Sequence, residues 1–329
     1  MNNKIALVIP YFGVFPNYFN LWLQSARKNK KFDFLIFTDN SMYKTVDNIK
    51  FIDMTFDRFK QILQNKVEFK ICLNDPYKIC DYRPMFGEAL HKYLKKYIFW
   101  GFCDVDLIFG KLSNFITPEI LNNYEKICQL GHFTLLKNNE KCNSLWKIKH
   151  HIPSAYRYDE AFKTPYPCHF DETDGLTQIS KSVGIKTYNK MNFADIDRKK
   201  LNFYPLDYKI NECANLFYWN KGNLEYFYLE ANKIKKIDFA YAHFQKRKME
   251  ISFNLRNSNI SSYVIVPNKF VKTNDPIKFL KDQKVISKYP YYRISRQKEI
   301  IKKIKKHAIQ QRIYRLVFRR FNRYFLDAK

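Results

Sequence analysis

Glycine is scarce in this 329-residue chain: only 8 are present, which excludes collagen-like and Gly-rich linker proteins. The seven cysteines (Cys72, Cys80, Cys103, Cys128, Cys142, Cys168, Cys213) form no C-x-x-C pair. Their odd number and irregular spacing fit a reduced, cytosolic protein with buried thiols. No uncharged run approaches 18 residues, so no membrane-spanning helix is expected. The apolar stretch Ile5–Pro10 is too short for the core of a signal peptide. Internal repeats and recognisable nucleic-acid-binding modules are also missing.

Apolar residues are plentiful. At 46% hydrophobic and 18% aromatic, the chain is not disordered. Its length gives one large domain or two small ones, with a core that needs no disulfide or metal to fold. The net charge is +27, but Phe, Ile, Lys, Asn and Tyr are all abundant. An AT-rich genome gives that bias without selection for binding, so the position of the charge says more than its total. Residues 269–329 hold 19 Lys/Arg against 4 Asp/Glu, more than half of the whole surplus. A mildly basic body with a strongly basic tail points to a polyanionic surface, nucleic acid or anionic lipid.

Continuous apolar runs at residues 4–10 and 32–40 read as buried parallel strands, with helix-like spacing over Phe15–Lys30 between them. Residues 55–72 read as helix and then strand, and 84–96 as a helix with Pro84 at its first position. Residues 97–110 form an apolar run interrupted by two aspartates, and 153–175 read as a functional loop. Strands alternating with helices predict an α/β fold with parallel strand order.

Three motifs carry chemistry. Cys103-Asp104-Val105-Asp106 closes a hydrophobic strand. Carboxylates two apart on a strand point to the same side, and at its carboxyl end they reach the crevice where α/β proteins bind ligands. Two hard oxygen ligands suit Mg²⁺ or Mn²⁺, and a cation offsets the burial of two acids; the alternative is a solvated turn. In the second motif, Lys78 and Arg83 precede a helix start, a ready phosphate site. Asp81 between them accepts from a base or sugar hydroxyl, or orients Arg83 in an ordinary loop. The third is Tyr241–Lys248, where His243 joins the two carboxylates as a third metal ligand and Lys246 covers a leaving phosphate.

Together these motifs resemble the nucleotide-sugar glycosyltransferases of the GT-A fold, over roughly residues 4–250. More narrowly, Tyr77-Lys78-Ile79-Cys80-Asp81-Tyr82-Arg83-Pro84 with Gly87, and Phe102–Asp106 with Gly110, resemble glycosyltransferases of bacterial capsule and exopolysaccharide gene clusters. The resemblance implies a Rossmann-like mixed sheet with helices on both faces. It implies that Pro10, Tyr11, Phe12 and Asp39 meet the base and ribose, and that Lys78, Asp81 and Arg83 line the nucleotide site. Asp104 would touch ribose or metal, Asp106 and His243 the metal, and Lys246 the diphosphate. Mn²⁺ or Mg²⁺ would be the cofactor, and a UDP-sugar the donor on fold-level analogy alone. The sugar, galactose in either ring form among others, stays open.

An inverting enzyme needs a carboxylate base, for which Asp171 and Glu172 are the candidates; a retaining enzyme of the same fold would lack one. The other reading of this cluster is N-capping by Thr173 or Asp174 of a helix over Leu176–Val183. Trp146 and Trp219 are read either as sugar-stacking platforms or as core packing.

Residues 295–325 repeat apolar positions at three- and four-residue steps among eleven basic residues, with Glu299 the one acid. This is a basic amphipathic helix, placed on an anionic membrane surface or packed against the body. The expected layout is a catalytic domain at 1–250, a connector with a short strand at 251–294, and the basic helix at 295–329. The expected setting is the inner face of a bacterial plasma membrane, with a lipid-linked glycan as acceptor. The competing class, a basic nucleic-acid-binding protein, has charge and aromatics in its favour but no module.

Overall fold

The computed structural model describes residues 4–197, 199–210, 214–255 and 260–282, and the single residues 297, 298, 301 and 313. The basic helix expected at 295–325 therefore lies outside the described residues, those few positions apart. The chain divides into two units, Met1–Asp197 with Leu201–Ile286 and Arg198–Lys200 with Ser287–Lys329. All the strands among the described residues, and the candidate site, belong to the first unit. No helix among the described residues is long and apolar enough to cross a membrane.

The chain is mixed α/β. Its strands are β1 (Ile5–Pro10), β2 (Phe32–Thr38), β3 (Ile49–Asp53), β4 (Phe99–Cys103), β5 (Leu107–Phe109), β6 (Lys126–Leu130), β7 (Phe133–Lys137) and β8 (Thr187–Tyr188). They continue as β9 (Phe193–Ile196), β10 (Phe203–Pro205), β11 (Asn215–Asn220), β12 (Asn223–Glu230), β13 (Lys233–Asp238), β14 (Tyr241–His243), β15 (Glu250–Ile251), β16 (Ser262–Val266) and β17 (Lys269–Val271). The main sheet runs β3-β2-β1-β4-β7-β6-β8. Its first four strands are parallel, and β7 turns antiparallel against β4.

Period-two alternation sorts the apolar side chains of this sheet onto its two faces. Ala6, Val8, Leu35, Phe37, Trp100 and Phe102 enter one core with Phe59 and Leu63 of helix α2 (Phe56–Gln64). Ile5, Leu7, Ile9, Phe34, Ile36 and Phe99 enter another with Phe19, Trp22 and Ala26 of helix α1 (Phe19–Arg27). Both faces are covered, which is why β1 and β2 read as unbroken apolar runs.

A small sheet, β10-β9-β14-β5, and a six-stranded one, β13-β12-β11-β16-β17-β15, complete the strands. The short strand expected within residues 251–294 is β16; with β15 and β17 it belongs to the six-stranded sheet, pairing antiparallel with β11. The expected helix at 84–96 is different. Pro76–Met85 is a 3-10 stretch with Pro84 inside it, followed by the short helices Phe86–Ala89 and His91–Leu94. No strand follows α2 between residues 65 and 75.

Candidate functional site

In the main sheet β1 is flanked by β2 on one side and β4 on the other, so the strand order reverses between β1 and β4. The crevice outside the carboxyl ends at such a reversal is where open α/β sheets bind ligands. Tyr11 and Phe12 leave β1 there, and Asp104-Val105-Asp106 leaves β4. The Trp22 indole donates to the Asp104 carbonyl at 3.2 Å, tying α1 to this corner.

Asp106 is buried at 5% exposure. Its Oδ2 accepts from the Lys246 backbone N–H at 2.6 Å and faces His243 Nε2 at 3.6 Å. His243 Nδ1 meets Asp195 Oδ1 at 2.7 Å, and the Gln245 amide holds the other Asp195 oxygen at 2.7 Å. Asp195 thus fixes the imidazole so that Nε2 is presented to the acidic pair, the arrangement that orients a metal-ligating histidine. The turn that closes this geometry carries Gln245 and Lys246 in the left-handed region (φ 50° and 58°), held there by Asp195 and Asp106.

Burial disfavours charge on both partners, but each outweighs that effect for the other. His243 is raised to about 10 by Asp106 and Asp195, and Asp106 is held below the usual carboxylate range by His243 and the Lys246 N–H. Without an ion, the two carboxylates favour the imidazolium form of His243. Ligating a metal requires it to give up that proton.

Arg83 is the second hub. Its guanidinium pairs with Asp104, bonds Asp171 Oδ2 at 3.0 Å and the Gly131 carbonyl at 2.6 Å, and lies 5.4 Å from the Phe102 ring centre. The Gly131 N–H donates to Glu172 Oε1 at 3.0 Å. A Cβ at position 131 would sit 2.6 Å from both the Asp171 and Glu172 oxygens, so any side chain there must displace the two carboxylates. Asp171 is buried, and its Oδ1 has no hydrogen-bond partner among the described residues. Burial, helped by Glu172 and Asp81, pushes its carboxyl well above the ordinary value despite Arg83.

Several expected residues meet here. Asp104, Asp106 and His243 offer one ligand atom each, all within 4.8 Å of one another. Two carboxylates and an imidazole are a donor set that fits Mn²⁺, with the carboxylates alone acceptable to Mg²⁺. Tyr11 senses the cluster: burial and Asp106 raise its phenol while Lys246 opposes them. Asp39 is exposed and accepts weakly from the Gly13 N–H at 3.4 Å, and Pro10 is half-buried at the strand end. Lys246 is exposed and lays its ammonium 3.7 Å from the Tyr77 ring centre, across the crevice mouth.

Other expectations are corrected. Phe12 packs on Phe56 and Phe59 and belongs to the core side of its loop. Lys78 and Asp81 do not line an open pocket. Their side chains are 2% and 0% exposed and paired with each other, Lys78 also donating to the Ala161 carbonyl at 2.8 Å. Asp81 accepts from the Cys168 and Phe170 amides at 2.8 and 2.9 Å, pinning the loop that leads to Asp171. Glu172 gives one oxygen, Oε1, to the Gly131 N–H, whereas Asp171 keeps a buried oxygen, Oδ1, without a hydrogen-bond partner among the described residues. Neither Thr173 nor Asp174 caps the helix Leu176–Ser182; its N-cap is Gly175, without a side-chain bond. Trp146 and Trp219 are 2% and 0% exposed and cannot stack on a sugar. Of the described cysteines, Cys103, Cys142 and Cys168 are buried and none is in a disulfide.

The sequence reading missed Asp195 and His132. Asp195 stands alone in an apolar strand, and the rule that a buried acid needs a partner flags it; His132 at the start of β7 gives no such signal.

Fold and site define a mixed α/β protein with an acid–histidine centre at the carboxyl ends of the parallel strands of a mixed sheet. The chain belongs to DUF6625, a family of unknown function, which it matches over residues 7–274. No curated protein matches it.

Proposed function

We propose that the protein is a metal-dependent glycosyltransferase of GT-A type that moves a sugar from a UDP-sugar to a hydroxyl of a lipid-linked bacterial surface polysaccharide. The observation that carries this reading is the convergence of Asp104, Asp106 and His243 at the switch point of the main sheet. The order β3-β2-β1-β4 followed by an antiparallel strand, with the acidic pair leaving β4, is in keeping with the resemblance seen in the sequence.

Asp104, Asp106 and His243 would hold Mn²⁺ or Mg²⁺, which when bound supplies positive charge to the diphosphate leaving group. Around it the chain's own residues have distinct tasks. Lys246, reaching over the crevice from Tyr77, provides a mobile cation for phosphate oxygens. Tyr11 and Asp39 form the nucleoside side of the crevice. Arg83 holds Asp171 and orders the Gly131 corner. Asp171, whose buried Oδ1 has no partner among the described residues, is the candidate base that takes the acceptor's hydroxyl proton in an inverting transfer, a role that requires the Arg83–Gly131 corner to open and uncover that oxygen. Attachment to an anionic membrane surface through residues 295–325 brings the enzyme to its acceptor.

The test is a thermal-shift panel of nucleoside diphosphates and their sugars with and without Mn²⁺. UDP species raise Tm only in the presence of the ion on this account; no response to any UDP species removes the reading.

A further inference from the structure

A cavity of about 630 Å³ opens at the outer edge of the main sheet, and the proposed reaction gives it no task. It lies among β8, the helix Pro118–Asn123 and the segment at Tyr208. β8 is the last strand of that sheet and pairs with β6 through Tyr188 and Ile127. The volume falls within the roughly 300–1,000 Å³ of small-molecule sites. None of the lining residues belongs to the acid–histidine centre.

The chain nonetheless ties the cavity to that centre. Asn192, buried on the cavity wall, precedes β9, and its carbonyl accepts the Ala240 N–H at 2.7 Å just before β14. From there β9 and β14 run parallel to Asp195 and His243. Three residues of extended chain cover about 10 Å, so cavity and centre sit at opposite ends of the same two strands.

The lining defines the ligand class. Phe115, Tyr124, Tyr188 and Tyr208 supply half-buried rings. Tyr124 and Tyr188 meet at 63° with centroids 5.3 Å apart, so they do not form the parallel slot that clamps a flat base. Asn123 and Asn192 add amides that both donate and accept. Glu119 and Lys190 are the charged lining residues among those described, one of each sign. The site therefore selects no polyanion, in spite of the chain's charge of +27. A purely apolar ligand would leave the polar groups unsatisfied. An uncharged saccharide meets each requirement. Its C–H face lies on an aromatic ring, and its hydroxyls pair with amides and a carboxylate.

We propose that this cavity binds a segment of neutral oligosaccharide, at a site separate from the acid–histidine centre. This binding does not depend on the centre being a transferase.

Saturation-transfer NMR of the full-length protein tests it, with maltohexaose, cellohexaose and a galactan hexasaccharide as probes and neither metal nor nucleotide present. At least one probe should receive saturation, and its titration gives a Kd. Tyr124→Ala, which removes a ring, and Glu119→Ala, which removes an exposed carboxylate, should each raise that Kd about 10-fold or more. Both variants should keep the Mn²⁺-dependent thermal response to UDP, which shows that they fold. Adding Mn²⁺ and UDP should not displace the probe. No transfer to any probe overturns the cavity's role while leaving the response to UDP intact. An unaltered Kd in Glu119→Ala, an exposed position independent of core packing, overturns it as well. Displacement by Mn²⁺ and UDP places the saccharide in the centre and overturns the separate site.

Discussion

Replacing Asp81 by Ala tests whether the Lys78–Asp81 pair holds the fold or a ligand. The pair is fully buried, and the lost carboxylate leaves three donors behind: the Lys78 ammonium and the Cys168 and Phe170 amides. Removing one partner of a buried ion pair costs roughly 3–5 kcal/mol, because the other charge stays uncompensated. Each orphaned amide adds about 1 kcal/mol or more, and partial relaxation of the loop takes some of this back. The expected loss is about 4–6 kcal/mol, a large part of the roughly 5–15 kcal/mol available to a folded protein. Urea denaturation followed by tryptophan fluorescence measures it, with Trp146 stacked on Phe162 as a reporter close to the pair. Lys78→Met should cost a similar amount, since it strands the carboxylate. The double variant should cost less than the two single losses added together. A loss below about 1 kcal/mol, as at an exposed pair, refutes the structural role. So does weaker nucleotide binding at unchanged stability, which would return the pair to the ligand site.

Three more outcomes rest on named contacts. Asp106→Asn should keep the fold and abolish the Mn²⁺-dependent thermal shift with UDP; a shift of unaltered size in the variant contradicts the ion site. Gly131→Ala drives a Cβ into the Asp171 and Glu172 oxygens at 2.6 Å and should destabilise the protein by about 1–3 kcal/mol, read by calorimetry. Lys126 is fully buried with Thr177 Oγ1 at 3.1 Å, and burial lowers its pKa to about 8. The unfolded chain then binds this proton more tightly, so the penalty is complete below pH 8 and fades towards the ordinary lysine value. Lys126→Met should therefore be more stable by about 2–3 kcal/mol at pH 7, with the gap closing as pH rises above 8. An equal gap at pH 7 and pH 10 argues against a charged lysine there.

The main sheet was legible in the sequence where burial on both faces writes a continuous signal. Ile5–Pro10 and Phe32–Thr38 are apolar on both faces, so each reads as a run that no other element shares. The acidic pair was legible because two aspartates interrupt such a run at its end. Pro76–Met85 was not, since a 3-10 stretch has neither period that apolar patterning reports. Asp81 and Lys78 looked like ligand residues because a charged pair in sequence is the same whether it meets a phosphate or itself. What separates the two is contact with Ala161, Cys168 and Phe170, more than 80 residues away in the chain. The short strand expected within 251–294 is β16, but its place in the six-stranded sheet was not legible, because its partner β11 lies more than 40 residues earlier and such pairing leaves no local trace.

A crystal grown with Mn²⁺ and UDP, measured at the manganese absorption edge, addresses the acid–histidine centre most directly. The account predicts an anomalous peak among Asp104, Asp106 and His243, with diphosphate oxygens on the same ion and Arg83 sharing or releasing Asp104. An absent peak, with Arg83 still closed on Asp104 and His243 still bridging two carboxylates, would contradict it.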